Sequence, residues 1–409
     1  METYYTIYNI DNFYLIRPIE NIFELSRKGN FVREATLATN LPFADVDKIY
    51  KSDELILGKS RKLSDIDTIK YLITLGADVT AGNNDAIRMA IINSQIEIVK
   101  LLITCGANVQ VCSTYELQLS VIYNDIPMVK LLIESGANIH SCENDAIQIA
   151  SQHGYIDMVK LLIAHGANIL DADNAAVRLA SQDNHIDIVK LLIANGADIL
   201  AKDNYAIKYA SSQGHLEMVK LLILFGADIA ADDNYAIRLA SKHGHIDMVK
   251  FLITNGADIL AKNNHAVRLA SKGGHIDIIK LLIANGADIL AKNNHAVRLA
   301  SKHGNFNTVK FLIANGADIL AKNNHAVRLA SKYGNINTVK ILIANGADIQ
   351  AENNYSIRYA SKYGDFEVVK LLIESGADIT TNNNYSIKKA NKNNHQRIVK
   401  LLQENGAIL

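Results

Sequence analysis

Proline is scarce, at 3 residues in 409, and tryptophan is absent. Helix interiors are thereby spared their strongest breaker. The one proline inside the repeated part of the chain, Pro127, falls in the first turn of an expected helix, where its missing N–H costs little. Cysteine is sparse as well: Cys105, Cys112 and Cys142 form an odd set with no CxxC pair. That excludes a disulfide framework and reads as reduced thiols inside a cell. Net charge is zero, with 42 basic and 42 acidic residues, and 49% of residues are hydrophobic, which is not the composition of a disordered chain. No apolar run approaches the roughly 18 residues of a membrane helix. Residues 1–10 carry Glu2 where a secretory signal would be basic. A phosphate-binding Gly loop, GxSxG and HExxH are all missing. His243 and His245 flank a helix-ending glycine without a third metal ligand. The expectation is a non-enzyme with no cofactor, no metal and no small-molecule substrate.

What is abundant is asparagine, 41 in all, and it comes with a period. Gly-Ala recurs at a constant interval, that from Gly76 to Gly106, all the way to Gly376 and Gly406. Each of these glycines is preceded six places earlier by a lysine. The decapeptide AKNNHAVRLA occurs unchanged at Ala261, Ala291 and Ala321. Each unit reads as helix, turn, helix, loop. In the unit 264–293, Asn264 is expected to cap the first helix, and Val267, Ala270 and in part Leu269 form its apolar stripe. Gly274 should end that helix in a left-handed conformation, a role that Asn124, Asn184 and Asn394 take in other units and for which Ser94 is a misfit. The second helix is expected to start near His275, with Asp277 at the positive end of its dipole. Ile276, Ile279, Leu282 and Ile283 are its expected buried face, and Gly286 its stop. Such a pair cannot bury its own apolar face, so units must stack.

These residues carry a family resemblance. Residues 241–258, SKHGHIDMVKFLITNGAD, resemble the second half of an ankyrin repeat, GHxxxVxxLLxxGAD, and the likeness recurs across residues 53–409. It implies an all-α ankyrin-repeat solenoid that binds a protein through its concave face. Departures are plain. The unit, one Gly-Ala interval long, is shorter than the roughly 33 residues usual in the family. The shortening falls between Asp258 and His265, in the loop that normally projects as a finger. His265-Ala266-Val267-Arg268 stands in place of the family's TPLH, and Leu260, Leu290 or Gln350 in place of its loop asparagine. The form NN[YH][AS][VI]RxAS and the leader around residues 31–38 and 53–57 are similar to the tandem ankyrin paralogues of giant amoeba-infecting DNA viruses such as mimivirus. That likeness implies a viral scaffold in the host cytoplasm, not secreted, binding a host protein; the alternative is a structural, virion-associated repeat protein. A monomer is expected.

Residues 1–52 stand apart as an N-terminal segment. Residues 1–50 hold five of the 17 tyrosines and four of the nine phenylalanines. Residues 4–10, 13–16 and 31–36 read as short strands, so a small β-containing cap is expected. Residues 53–82 read as a degenerate first repeat, 83–383 as ten repeats of the constant length, and 384–409 as a polar C-terminal capping repeat.

Charge is unevenly spread. Residues 131–240 carry 7 basic and 14 acidic residues, net −7, whereas 241–340 carry 14 basic and 5 acidic, net +9. Lys262, Lys292 and Lys322 form one column, and Lys242, Lys272, Lys302, Lys332 and Lys362 another at the end of the first helix, with His303, Tyr333 and Tyr363 in the next position. His265, His295 and His325 form a third column, shared by Tyr205, Tyr235, Tyr355 and Tyr385, with Arg238, Arg268, Arg298, Arg328 and Arg358 in the column three residues later. The resemblance places these columns on or beside the concave face. They are the candidate partner-binding residues, suited to an acidic protein. Nucleic acid is disfavoured because the whole chain is not basic. For the histidine and arginine columns the expectation is mainly structural: stacking at i,i+3 and bracing of neighbouring units.

Overall fold

The computed structural model describes residues 4–8, 13–17, 31–37, 49–51, 55–57, 60–111 and 114–409. Cys112 and the end of the first strand reading at Ile10 lie outside them. The chain divides into two units, Met1–Asp198 and Ile199–Leu409.

The first unit opens with an antiparallel sheet. Its strands are β1 (Tyr4–Tyr8), β2 (Phe13–Arg17), β3 (Phe31–Leu37), β4 (Ile49–Lys51), β5 (Leu55–Leu57) and β6 (Arg61–Lys62), in the order β4-β2-β1-β3-β5 with β6 also on β3. The register pairs Thr6 with Ile16 and with Arg33, and Val32 with Arg61. Aromatic and β-branched residues suit such a pleated surface, and Val32 is buried in it. Residues 53–82 contribute β5, β6 and the helix Ile66–Thr74. Asp65 caps that helix through its carboxylate, which accepts from the Asp67 N–H. Helix pairs then follow, from Ala81–Ile92 with Ile96–Thr104 to Asp171–Gln182 with Ile186–Ala194. Pro127 sits in the first turn of Ile126–Glu134, as expected from its missing N–H.

The second unit is a run of helix pairs from Ala201–Gln213 with Leu216–Leu224 to Thr381–Lys392 with Gln396–Glu404. Its core is one column set repeated. In the pair Ala261–Gly273 and Ile276–Ala284, Ala266, Val267, Ala270, Ile278, Ile279 and Leu282 are buried. Ile276 and Ile283, expected inside, are only half-buried, and Ile278 takes the buried place instead. The reason is the acid in the first turn: with Asp277 outward, the stripe runs 278, 279, 282 at helical spacing. Gly274 has φ +81°, and Asn124, Asn184, Asn394 and even Ser94 also take positive φ in this column. A left-handed residue is what lets the chain leave the helix and start the next one within two residues.

One local feature departs from the expectation. Asn264 does not cap a helix. Lys262, Asn263 and Asn264 all lie in the left-handed region, at φ 51°, 56° and 59°. The same three-residue turn recurs in other units, from Ala172-Asp173-Asn174 to Asn382-Asn383-Asn384. The helix proper begins after it. The second and third positions are Asn or Asp because these residues tolerate that region best.

Candidate interaction face

The left-handed turn is held by an arginine. Arg268 donates from Nε to the Asn263 carbonyl at 3.2 Å and from Nη2 to the Lys262 carbonyl at 2.9 Å. Its Nη1 reaches forward to Nδ1 of His295 in the next repeat, at 3.2 Å. Arg238 and Arg298 repeat the arrangement on His265 and His325, at 3.2 and 3.1 Å. A guanidinium can only donate, so each imidazole presents an unprotonated Nδ1. Burial, reinforced by the neighbouring arginines and lysines, lowers the pKa of His265, His295 and His325 to about 4. The histidine–arginine contact thus runs between repeats rather than along one helix. Where tyrosine occupies the histidine column, the expected i,i+3 stack does form: the Arg238 guanidinium lies 4.9 Å from the Tyr235 ring and Arg358 6.0 Å from Tyr355, while Arg358 also stands 5.3 Å from Tyr385 of the next repeat.

Asparagine and histidine supply two further ties. The Asn264 side-chain oxygen accepts from the Asp288 N–H at 2.7 Å, and the bond recurs from Asn294 to Asp318 and from Asn324 to Asp348. At the helix ends, Nε2 of His275 lies 3.0 Å from the Lys242 carbonyl, and Asn305 donates to the carbonyls of Ser271 and Lys272. These satisfy carbonyls that a helix C-terminus leaves orphaned. Asp365 falls in this column but brings a carboxylate, which cannot donate. Burial raises its pKa, opposed by His395.

With the backbone tied in this way, the lysines are free to point outward. Lys262, Lys272, Lys292 and Lys322 are exposed, and Lys302, Lys332 and Lys362 half-buried. Lys262 pairs with Asp233 at 3.0 Å and Asp232 at 4.0 Å. The remaining lysines of the face make no ion pair with any described residue. His303 is largely exposed, and the partial desolvation of its ring, with Lys272 and Lys302 beside it, lowers its pKa. Tyr333 and Tyr363 are exposed at 48% and 49%. Lys302 lies 5.3 Å and Lys332 5.5 Å from the Tyr333 ring; Lys332 lies 5.9 Å and Lys362 5.3 Å from Tyr363. Cation and ring therefore alternate along the second unit. A cleft of about 210 Å³ opens between His295, Arg298, Lys302 and His325, and one of about 330 Å³ between Lys332, Tyr333, Tyr363 and Asp365.

The sequence reading missed two parts of this face. Tyr359 stacks on Tyr355 at 4.0 Å and stands 5.7 Å from Lys332; its i+4 spacing from Tyr355 was the available signal. Leu260, Leu290 and Leu320 are exposed at 47–50% at the loop tips, two places before the lysine column. Among the described residues no three His, Cys, Asp or Glu side chains converge as metal ligands, and no helix is long and apolar enough to cross a membrane.

A family model described as ankyrin repeats in three copies matches residues 117–203, 200–263, 261–323, 297–383 and 327–409. An uncharacterized protein of Acanthamoeba polyphaga mimivirus is 44% identical over 46 residues, which is 11% of this chain and 33% of that protein. The chain thus spans about a third of the length of the curated relative it matches. The crystal structure of the human ASB11 ankyrin repeat domain aligns with 48% of this chain and 96% of its own, at 21% identity and a TM-score of 0.42.

Proposed function

The chain belongs to the ankyrin-repeat family, and we propose that it is a non-catalytic scaffold that binds an acidic protein through the lysine-rich face of its second unit. Protein–protein interaction is what the family implies. The finer reading is supported by one observation above all. Lys272, Lys292, Lys302, Lys322 and Lys332, in the segment of strong positive charge, and Lys362 just beyond it make no ion pair with any described residue, although each unit supplies carboxylates close by in sequence. The acids are used elsewhere: Asp277 pairs with Lys280, and Asp288 accepts from the Leu290 N–H. Like-charged columns left unneutralised cost some self-repulsion, which an acidic partner relieves.

The likeness to a mimivirus protein supports a viral origin, and a host protein is then the partner we infer. On this reading the scaffold works in the cytoplasm of an infected amoeba and acts as a monomer. The test is affinity capture from amoeba lysate with the whole chain and with a variant carrying Lys302→Glu, Lys332→Glu and Lys362→Glu. The expected result is a set of acidic proteins retained by the first and lost by the second, with thermal unfolding of the two within a few degrees. Equal capture by both would overturn the assignment of binding to this face.

A further inference from the structure

We propose that the cleft between Tyr333 and Tyr363 is the anchor of this face, taking one aromatic side chain of the partner with carboxylates three residues to either side. The proposal rests on the reading of the basic face as a protein-binding surface and gives it a specificity.

Its basis is the alternation Lys302, Tyr333, Lys332, Tyr363, Lys362. Each of the two exposed rings has two ammonium groups within 5.3–5.9 Å, one from its own repeat and one from the repeat before. Tyr359, outside the cleft lining, stands 5.7 Å from Lys332, 5.6 Å from Lys362 and 6.2 Å from the Tyr363 ring. The space of about 330 Å³ is at the lower end of the roughly 300–1,000 Å³ of ligand sites, which suits one side chain rather than a whole ligand. A ring inserted there meets aromatic walls in offset or edge-on contact and removes two half-exposed tyrosines from water. Chain geometry fixes the flanking positions. Lysines in adjacent repeats are roughly 10 Å apart, the spacing of packed helices. An extended segment advances about 3.3–3.6 Å per residue. With the ring near Lys332, carboxylates three residues before and after it therefore reach Lys302 and Lys362. Single-stranded nucleic acid also combines stacking with cations, but the whole chain carries no net charge and the cleft contains Asp365, which disfavours a continuous row of phosphates.

The test uses the whole chain and fluorescein-labelled heptapeptides read by anisotropy: Glu-Gly-Ser-Trp-Gly-Ser-Glu, and the same peptide with alanine in the central place. Wild type is expected to bind the tryptophan peptide about tenfold more tightly, in line with one buried aromatic contact. In the Tyr333→Ala, Tyr363→Ala pair that preference should vanish while the alanine peptide binds as before. Lys302→Gln with Lys362→Gln should weaken both peptides. Asp365→Asn should strengthen both two- to threefold. Equal affinity of wild type for the two peptides overturns the anchor and leaves the basic face standing. Insensitivity of both peptides to the lysine changes overturns the basic face itself. A labelled oligo-dT that binds more tightly than either peptide, and competes with them, overturns the protein reading of the cleft.

Discussion

Arg238, Arg268 and Arg298 are buried charges at 5–8% exposure, and each spends its donors on the left-handed turn and on the next histidine. Removing one strands two carbonyls and an imidazole nitrogen. Arg298→Ala should therefore cost about 2–3 kcal/mol, and Arg298→Lys should recover little, because a single ammonium cannot span three acceptors. Urea unfolding of the three proteins checks this. The histidines give a pH signature. Their folded pKa of about 4 lies below the ordinary 6.5. The stability they contribute is present above pH 6.5 and is lost as pH falls toward 4. Gln in place of His265, His295 and His325 keeps an acceptor for arginine without titrating. The unfolding midpoint of that variant should fall less than wild type's between pH 7 and pH 4.5; an equal fall would exclude the histidines as the cause. Residue identity foretold part of this scale. Glycine at Gly274 has one physical meaning at the end of a helix, a positive φ. Asparagine at Asn264 has two, cap and left-handed residue, and the pair Asn263-Asn264 was the hint that favoured the second. The arginine's partner was unreadable, since only the stacked fold shows that Nη1 of Arg268 reaches into the next repeat rather than three residues back.

At the scale of the element, the first helix, the left-handed residue that ends it and the second helix were legible from the constant period and the columns of glycine, lysine and leucine, whereas the turn at 262–264 was not. The phase of the second helix was less so. Three consecutive apolar residues offer several stripes, and the outward acid decides between them, as Ile278 shows. The helix-end column makes a sharper prediction. Asn335 donates to the carbonyls of Ser301 and Lys302 at 2.9 and 3.0 Å. Asp365 stands in the corresponding place after Ser331 and Lys332, packed against Gly334. Asp365→Asn should stabilise the fold by about 1 kcal/mol, the worth of one net hydrogen bond, measured as a higher urea midpoint at pH 7. The pH dependence has the matching sign. A carboxyl whose folded pKa is raised above 3.8 favours the folded state at low pH and loses that contribution as pH rises through the raised value. The gain from asparagine should accordingly shrink when the comparison is made at pH 4.

For the whole molecule, charge distribution is the property that matters, not net charge. A neutral chain with a +9 segment attracts an acidic partner at close range only, because the screening length is about 8 Å at physiological ionic strength. Association with an acidic partner should slow by roughly tenfold between 50 and 300 mM salt while dissociation changes little; stopped-flow or surface-plasmon kinetics would show it. Melting should be nearly indifferent to the same salt, since exposed lysines contribute little to stability. The sequence exposed this polarity by counting alone. It did not expose the alternation of lysine and tyrosine, because that depends on Lys302 reaching the Tyr333 ring of the following repeat.

The offsets of the ties between repeats have a consequence for how such a chain changes over generations. Asn264 reaches 24 residues ahead, Arg268 27 ahead, His275 33 back and Asn305 33 and 34 back. All are close to one period. Excise one whole unit from within the nearly identical stretch 261–330, or duplicate it, and each severed bond meets a counterpart donor or acceptor one period away. Copy number can drift by recombination with the pattern of ties preserved, so the reach of the binding face is an inheritable dimension that selection can adjust one repeat at a time.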